Sequence, residues 1–294
     1  MTTLDFDRLR RARALEPAAI RAALDGRVRR DLLTGDGRLF ILAADHPGRG
    51  ALGVGDEPMA MADRYDLLER LVVALAHPGV DGFLGTADLL EDLAFLGALE
   101  GKVAVGSMNR GGIKSSVFEM DDRVTGYDVD SFHRKHLDFA KLLLRINLED
   151  PSSVRTLVSA AEAVSHAAEI GLPIMIEPFM STWLDGSIRN DLRLEAVVTS
   201  VAIASALGSS SAYSWLKLPV VPDMERVMKA TTLPTLLLGG DPLDHPVNVH
   251  ETWARALDLP GVHGLVVGRS LLYPSDGDVE SAVDRAAGLV HHTS

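Results

Sequence analysis

The chain contains no cysteine. That excludes disulfides, thiolate-bound zinc and cysteine nucleophiles, and it fits a reducing compartment. Lysine is nearly as sparse: Lys102, Lys114, Lys135, Lys141, Lys217 and Lys229 are the only ones in 294 residues. Basic charge is short overall, with 29 Lys and Arg against 41 Asp and Glu, a formal net charge of −12. So acidic a chain lacks the basic face that releases counterions from phosphodiesters, and no nucleic-acid partner is expected. An anionic metabolite remains allowed, because a few local cations and backbone N–H groups can hold a phosphate. No apolar run reaches the length of a membrane span, and the opening Met-Thr-Thr-Leu-Asp-Phe-Asp-Arg lacks the apolar stretch of a signal peptide. No membrane association is expected, and the expected location is the cytoplasm.

What is present is enough apolar material for a large core, 47% hydrophobic against 24% charged, which argues against global disorder. Residues 1–38 read as an N-terminal helical extension, with Pro17 in the first turn of a helix. This extension either caps the rest of the fold or contacts another subunit. From residue 39 to 294, short apolar runs alternate with helix-like segments. The runs are 39–44, 82–85, 103–105, 139–144, 173–176, 214–218, 233–238 and 264–267, each followed by loop-forming residues. Amphipathic helices are expected at 59–78, 87–99, 129–138, 153–170, 190–207, 222–230, 247–258 and 278–291. Alternating strands and helices mean parallel βαβ units, and eight of them at this length predict an α/β fold closed into a (β/α)₈ TIM barrel. A doubly wound open sheet is the alternative, but no Gly-x-Gly-x-x-Gly follows the first run.

Barrels of this kind do their chemistry at the C-terminal ends of the strands. Those ends carry Asp45-His46 after the first run, Asn109-Arg110 after the third, Arg145 after the fourth and Glu177 after the fifth. Lys141 and Lys217 lie inside apolar runs. A buried ammonium is costly, so an interior lysine is paired or neutral, and a neutral amine is what attacks a carbonyl. Lys217 alone could equally pack its stem outward under a helix; with Lys141 on another apolar strand, a shared interior site is favoured. Glu177 either pairs with a lysine or shuttles protons. Asp45 could equally be a turn residue, and His46 reads as a packing or hydrogen-bonding ring. Gly239, Gly240, Gly268 and Arg269, after the last two strands, fit the position of a phosphate cradle, although βα-turn glycines are common.

Taken in order, Asp45, Lys141-Leu-Leu-Leu144, Glu177-Pro178, Trp215-Leu-Lys217-Leu-Pro219, Leu238-Gly-Gly240 and Val267-Gly-Arg269 resemble class I aldolases. The resemblance is to the group holding tagatose-bisphosphate, sulfofructose-phosphate and archaeal-type fructose-bisphosphate aldolases, and it spans roughly residues 39–273. It implies Lys217 as the Schiff-base lysine, Glu177 as the proton-transfer residue, Asp45 as a carboxylate assisting substrate hydroxyls, and Lys141 as a second lysine on substrate oxygens. It also implies a sugar-phosphate substrate, and no metal or cofactor. A bacterial branch found with inositol-degradation enzymes is most similar, which implies cleavage of 2-deoxy-5-keto-gluconate 6-phosphate to dihydroxyacetone phosphate and malonate semialdehyde. Tagatose or fructose bisphosphate, sulfofructose phosphate and deoxyribose phosphate are the alternative substrates. Arg145 and the Asn109-Arg110 loop depart from the tagatose-type pattern. They add cations suited to a substrate carboxylate, unless Arg145 pairs with Glu149 or Asp150.

Two other readings compete. A metal-dependent barrel lyase would draw on Asp45, His46, Glu177, Asp241, Asp244 and His245, but no paired-histidine pattern sits at a strand end. A non-catalytic barrel that binds a sugar phosphate leaves the two interior lysines unexplained. The expected partners are a small-molecule sugar phosphate and further copies of the chain in a homo-oligomer.

Overall fold

The computed structural model describes residues 4–239 and 249–291. Its strands are β1 (Leu39–Ala43), β2 (Gly82–Gly85), β3 (Val103–Ser107), β4 (Phe139–Ile146), β5 (Ile174–Leu184), β6 (Ser187–Asn190), β7 (Ser214–Pro219), β8 (Thr235–Leu238) and β9 (Val262–Val267). β1 pairs in parallel with β2 on one side and β9 on the other. The parallel ladder continues through β3, β4, β5, β7 and β8 back to β9, so eight strands close into a (β/α)₈ barrel. Every apolar run of the sequence is one of these strands.

Helices lie outside, and they begin and end where local chemistry requires. Asp128 caps the helix Val129–Arg134 by accepting from the Ser131 N–H. Gly171, at φ 72°, ends the helix Ser152–Ile170 in the left-handed conformation that glycine adopts without strain. The helix expected to run to 138 stops at Arg134. Asp138 turns there to accept from the Ala104 N–H and from Arg27.

β6 has no counterpart among the expected strands. It folds back antiparallel on the outer half of β5, Leu184 opposite Ser187, through the turn Asp185-Gly186, both at positive φ. The helix expected from 190 therefore starts at Leu194.

Alternation with period two assigns the faces of each strand. Leu39, Ile41, Val103, Val105, Phe139, Met175, Trp215, Leu236 and Val266 pack together as the barrel interior. Phe139 and Trp215 meet edge to face with ring centroids 5.5 Å apart. The segment before β1 reaches this interior through Leu32. Arg27 anchors that segment, donating to the Lys102 and His136 carbonyls and pairing with Asp138, all just before strands β3 and β4. One end of the barrel is thus filled by apolar side chains, and the polar residues collect at the other.

Candidate active site

The same period carries the interior face past its apolar layers. On β4, Lys141 is two residues beyond Phe139; on β5, Glu177 is two beyond Met175; on β7, Lys217 is two beyond Trp215. β5 and β7 pair with Ile176 beside Leu216, which puts Glu177 and Lys217 side by side one residue on. Lys217 Nζ donates to Glu177 Oε1 at 2.5 Å, and Lys141 Nζ reaches Glu177 Oε2 at 2.5 Å. Lys141 Nζ also donates to Asp45 Oδ2 at 3.1 Å. Lys217, Lys141, Asp45 and Glu177 are 4%, 2%, 2% and 8% exposed, so these contacts are shielded from solvent. The two lysines, Glu177 and Asp45 singled out by sequence form one contact cluster. Asp45 stands at the turn into a short 3-10 helix, His46–Arg49, and is buried in this cluster as well. Lys217 points inward, onto Glu177.

Desolvation alone would raise the pKa of Glu177, but Lys141 and then Lys217 hold it at about 2. Asp45 lies well below the usual carboxylate range, because Arg110 and then Lys141 outweigh its burial. Desolvation pulls Lys141 below the ordinary amine value, against the opposing effect of Asp45 and Glu177. His46 sits beside Asp45, its Nδ1 3.8 Å from the carboxylate. Desolvation, then the Arg269 guanidinium, bring it to about 3, so the ring is neutral at physiological pH.

A cavity of about 1100 Å³ opens over this cluster and is also lined by Gly239, Gly268 and Arg269. Gly240 lies outside the described residues, as do Asp241, Asp244 and His245. Both described glycines have a packing reason to be glycine. A Cβ on Gly268 would stand 1.9 Å from the Ala43 carbonyl oxygen, and one on Gly239 would stand 2.5 Å from Val267. Among the described residues, no three His, Asp or Glu side chains are grouped to hold a metal ion.

The profile of the Cgl0159-like family matches residues 37–287. The chain belongs to that family. A solved structure of Cgl0159 from Corynebacterium glutamicum shares 58% identity over 98% of this chain and 97% of that one, with a TM-score of 0.95. An archaeal fructose 1,6-bisphosphate aldolase matches at 17% identity over 93% of this chain and 99% of that one, TM-score 0.64. An archaeal fructose-1,6-bisphosphate aldolase with its catalytic Lys covalently bound to a carbinolamine intermediate of its substrate matches at 18%, over 92% and 99%, also at 0.64. At such identities the likeness is one of fold. No curated protein matches the chain in sequence.

Two arginines of this Cgl0159-like chain behave differently from expectation. Arg145 pairs with neither Glu149 nor Asp150. Its Nη1 meets Glu119 Oε1 at 2.5 Å and its Nη2 donates to the Glu119 carbonyl at 2.9 Å, while Asp122 lies 3.9 Å away. Arg145 shares the inward face of β4 with Lys141, whereas Asp150 accepts from Trp183 Nε1 at 2.7 Å and from the Ser152 N–H at 2.8 Å. Arg49 completes the group, pairing with Asp122 and donating to the Gly112 and Asn109 carbonyls at 3.0 Å each.

Arg110 turns down onto Asp45, donating to its Oδ2 at 2.6 Å and its carbonyl at 2.8 Å. Ser107 Oγ donates to the same Oδ2 at 3.1 Å. Sequence places Ser107 and Arg110 at the end of the third strand, Arg110 as a cation near the mouth, and gives no role to Glu119 or Asp122. The available signal was Ser107 itself, which continues the inward period Val103, Val105, Ser107 of β3.

Proposed function

We propose that this chain is a class I aldolase in which Lys217 forms an iminium with the ketone of a sugar phosphate. The observation that carries the reading is the buried contact of Glu177 with both Lys217 and Lys141 at the open end of the barrel. The fold shared with the archaeal aldolases agrees with it.

In the proposed cycle, the Lys217 amine adds to the ketone and water leaves, giving a protonated imine. That nitrogen accepts the electron pair of the carbon–carbon bond between the α and β carbons. Glu177 removes the proton of the β-hydroxyl as the bond breaks, so the aldehyde product departs and an enamine remains. Glu177 returns the proton to the α carbon, and hydrolysis frees the ketone product and Lys217. Lys141 and Asp45 bind substrate oxygens, and Gly239, Gly240, Gly268 and Arg269 receive the phosphate.

The substrate we favour is 2-deoxy-5-keto-gluconate 6-phosphate. Its cleavage yields malonate semialdehyde and dihydroxyacetone phosphate. Arg145 and Arg110 are engaged by carboxylates of the chain. Three exposed cations at the cavity edge, Lys114, Arg189 and Arg255, are therefore the better candidates to meet the substrate carboxylate. The proposal also includes a cytoplasmic homo-oligomer, with residues 1–38 as an extension to a catalytic barrel of 39–294. Among the described residues no helix is long and apolar enough to cross a membrane.

The test is an aldol-cleavage screen that detects dihydroxyacetone phosphate, with the inositol-derived acid, ketose bisphosphates, sulfofructose phosphate and deoxyribose phosphate as substrates. Borohydride with dihydroxyacetone phosphate is expected to add one reduced adduct, mapped to Lys217. Lys217→Ala is expected to abolish the adduct and lower kcat by about 10⁴-fold or more. An active Lys217→Ala protein would remove the mechanism.

A further inference from the structure

Five buried side chains form an alternating line of charge. Arg110 meets Asp45 at 2.6 Å, Asp45 meets Lys141 at 3.1 Å, Lys141 meets Glu177 at 2.5 Å, and Glu177 meets Lys217 at 2.5 Å. Fully ionised, that line carries three positive charges and two negative, with a cation at each end. The neighbouring cluster on the same cavity wall is balanced, Arg49 and Arg145 against Glu119 and Asp122.

Among the described residues lining the cavity, none facing the amines restores the balance. His46, at the end of β1, is neutral at physiological pH, and Arg269, after β9, contributes only positive charge. The other acids along the cavity, Asp223 and Glu225, are exposed beyond β7. An arginine keeps its proton throughout the working range, so any proton this line gives up leaves from an amine.

Arg110 is held to this task by its surroundings. Its backbone N–H donates to Thr125 Oγ1 at 3.0 Å, its guanidinium also touches Ser107, and a Cβ on Gly48 would crowd its Cδ at 3.1 Å. We propose that Arg110 is a positioning residue that takes Asp45 as its counter-ion and so drives one of the two interior amines to give up its proton. The amine that loses its proton is then available as a nucleophile in the cavity. The chemical use of that neutral amine rests on the aldolase reading; the charge count does not.

Competitive acetylation with acetic anhydride, mapped by peptide mass at Lys141 and Lys217 across pH, measures the neutral amine without any substrate. Arg110→Gln is expected to raise the pH at which the more reactive lysine becomes labelled by about one unit or more, roughly a tenfold loss of labelling at neutral pH. Asp45→Asn, which enlarges the surplus, is expected to lower that pH. An Arg110→Gln profile that coincides with wild type overturns the proposal, and so does an Asp45→Asn profile that stays or rises. If Arg110→Gln does not fold, Asp45→Asn decides alone. Failure of dihydroxyacetone phosphate and borohydride to mark Lys217 would remove the aldolase reading and leave the labelling result standing.

Discussion

Glu177 gives one carboxylate oxygen to Lys217 and the other to Lys141, each at 2.5 Å. With both oxygens engaged, it is held between β4 and β7 and has little freedom to rotate. A carboxylate so placed can exchange a proton with either amine without moving, which suits a group that must take a proton and return it.

Glu177→Gln keeps the side-chain size and loses the base. We expect kcat for cleavage to fall by about 10²–10⁴-fold while borohydride still traps an adduct on Lys217. Steady-state kinetics with mass mapping checks this, and loss of the adduct would mean that Glu177 is needed for iminium formation itself. Because Glu177 is held at about 2, any acidic limb of activity near neutral pH is expected to arise elsewhere.

Arg145→Met leaves Glu119 buried, with the nearest replacement cation, Arg49, already paired with Asp122. Stranding a buried carboxylate costs about 3–5 kcal/mol, so urea unfolding is expected to show a large loss of stability. Normal stability with a raised KM would instead make Arg145 a direct ligand of substrate.

Gly268→Ala forces a methyl against the Ala43 carbonyl oxygen, where β9 lies beside β1. The clash is with backbone, so it cannot be relieved by a rotamer change. Destabilisation of about 1–3 kcal/mol or more is expected. A thermal melt unchanged from wild type would show that Gly268 serves the phosphate loop alone.

His291, far from the cavity, pairs with Asp36 at 2.8 Å and Asp81 at 3.2 Å. The bond to Asp81, with Asp36 assisting against partial burial, raises its pKa to about 9. A raised histidine contributes stability that is complete below its unfolded value near 6.5 and is lost as pH rises through about 9. His291→Gln is therefore expected to cost about 1 kcal/mol at pH 6, after allowance for solvent screening, and almost nothing at pH 10. Chemical denaturation at the two pH values checks it; a constant difference would trace the effect to packing.

The strands were legible because each apolar run is a local property of the chain, and the period of two then told which residues share a face. That is why Lys141, Glu177 and Lys217 could be named from sequence: each interrupts or ends an apolar strand at a position where a charge demands a partner. The hairpin Ser187–Asn190 was marked by Asp185-Gly186, but four partly exposed residues carry no apolar period. Arg110 and Asp45 stand 65 residues apart, and their contact depends on an irregular loop folding back over the barrel mouth. Arg145 and Glu119 meet across the same loop. Strand alternation is written residue by residue, so sequence alone determined the barrel and the lysines inside it. Partners across a loop depend on register, strand stagger and turn geometry together, so the tertiary structure alone decided which carboxylate each arginine takes.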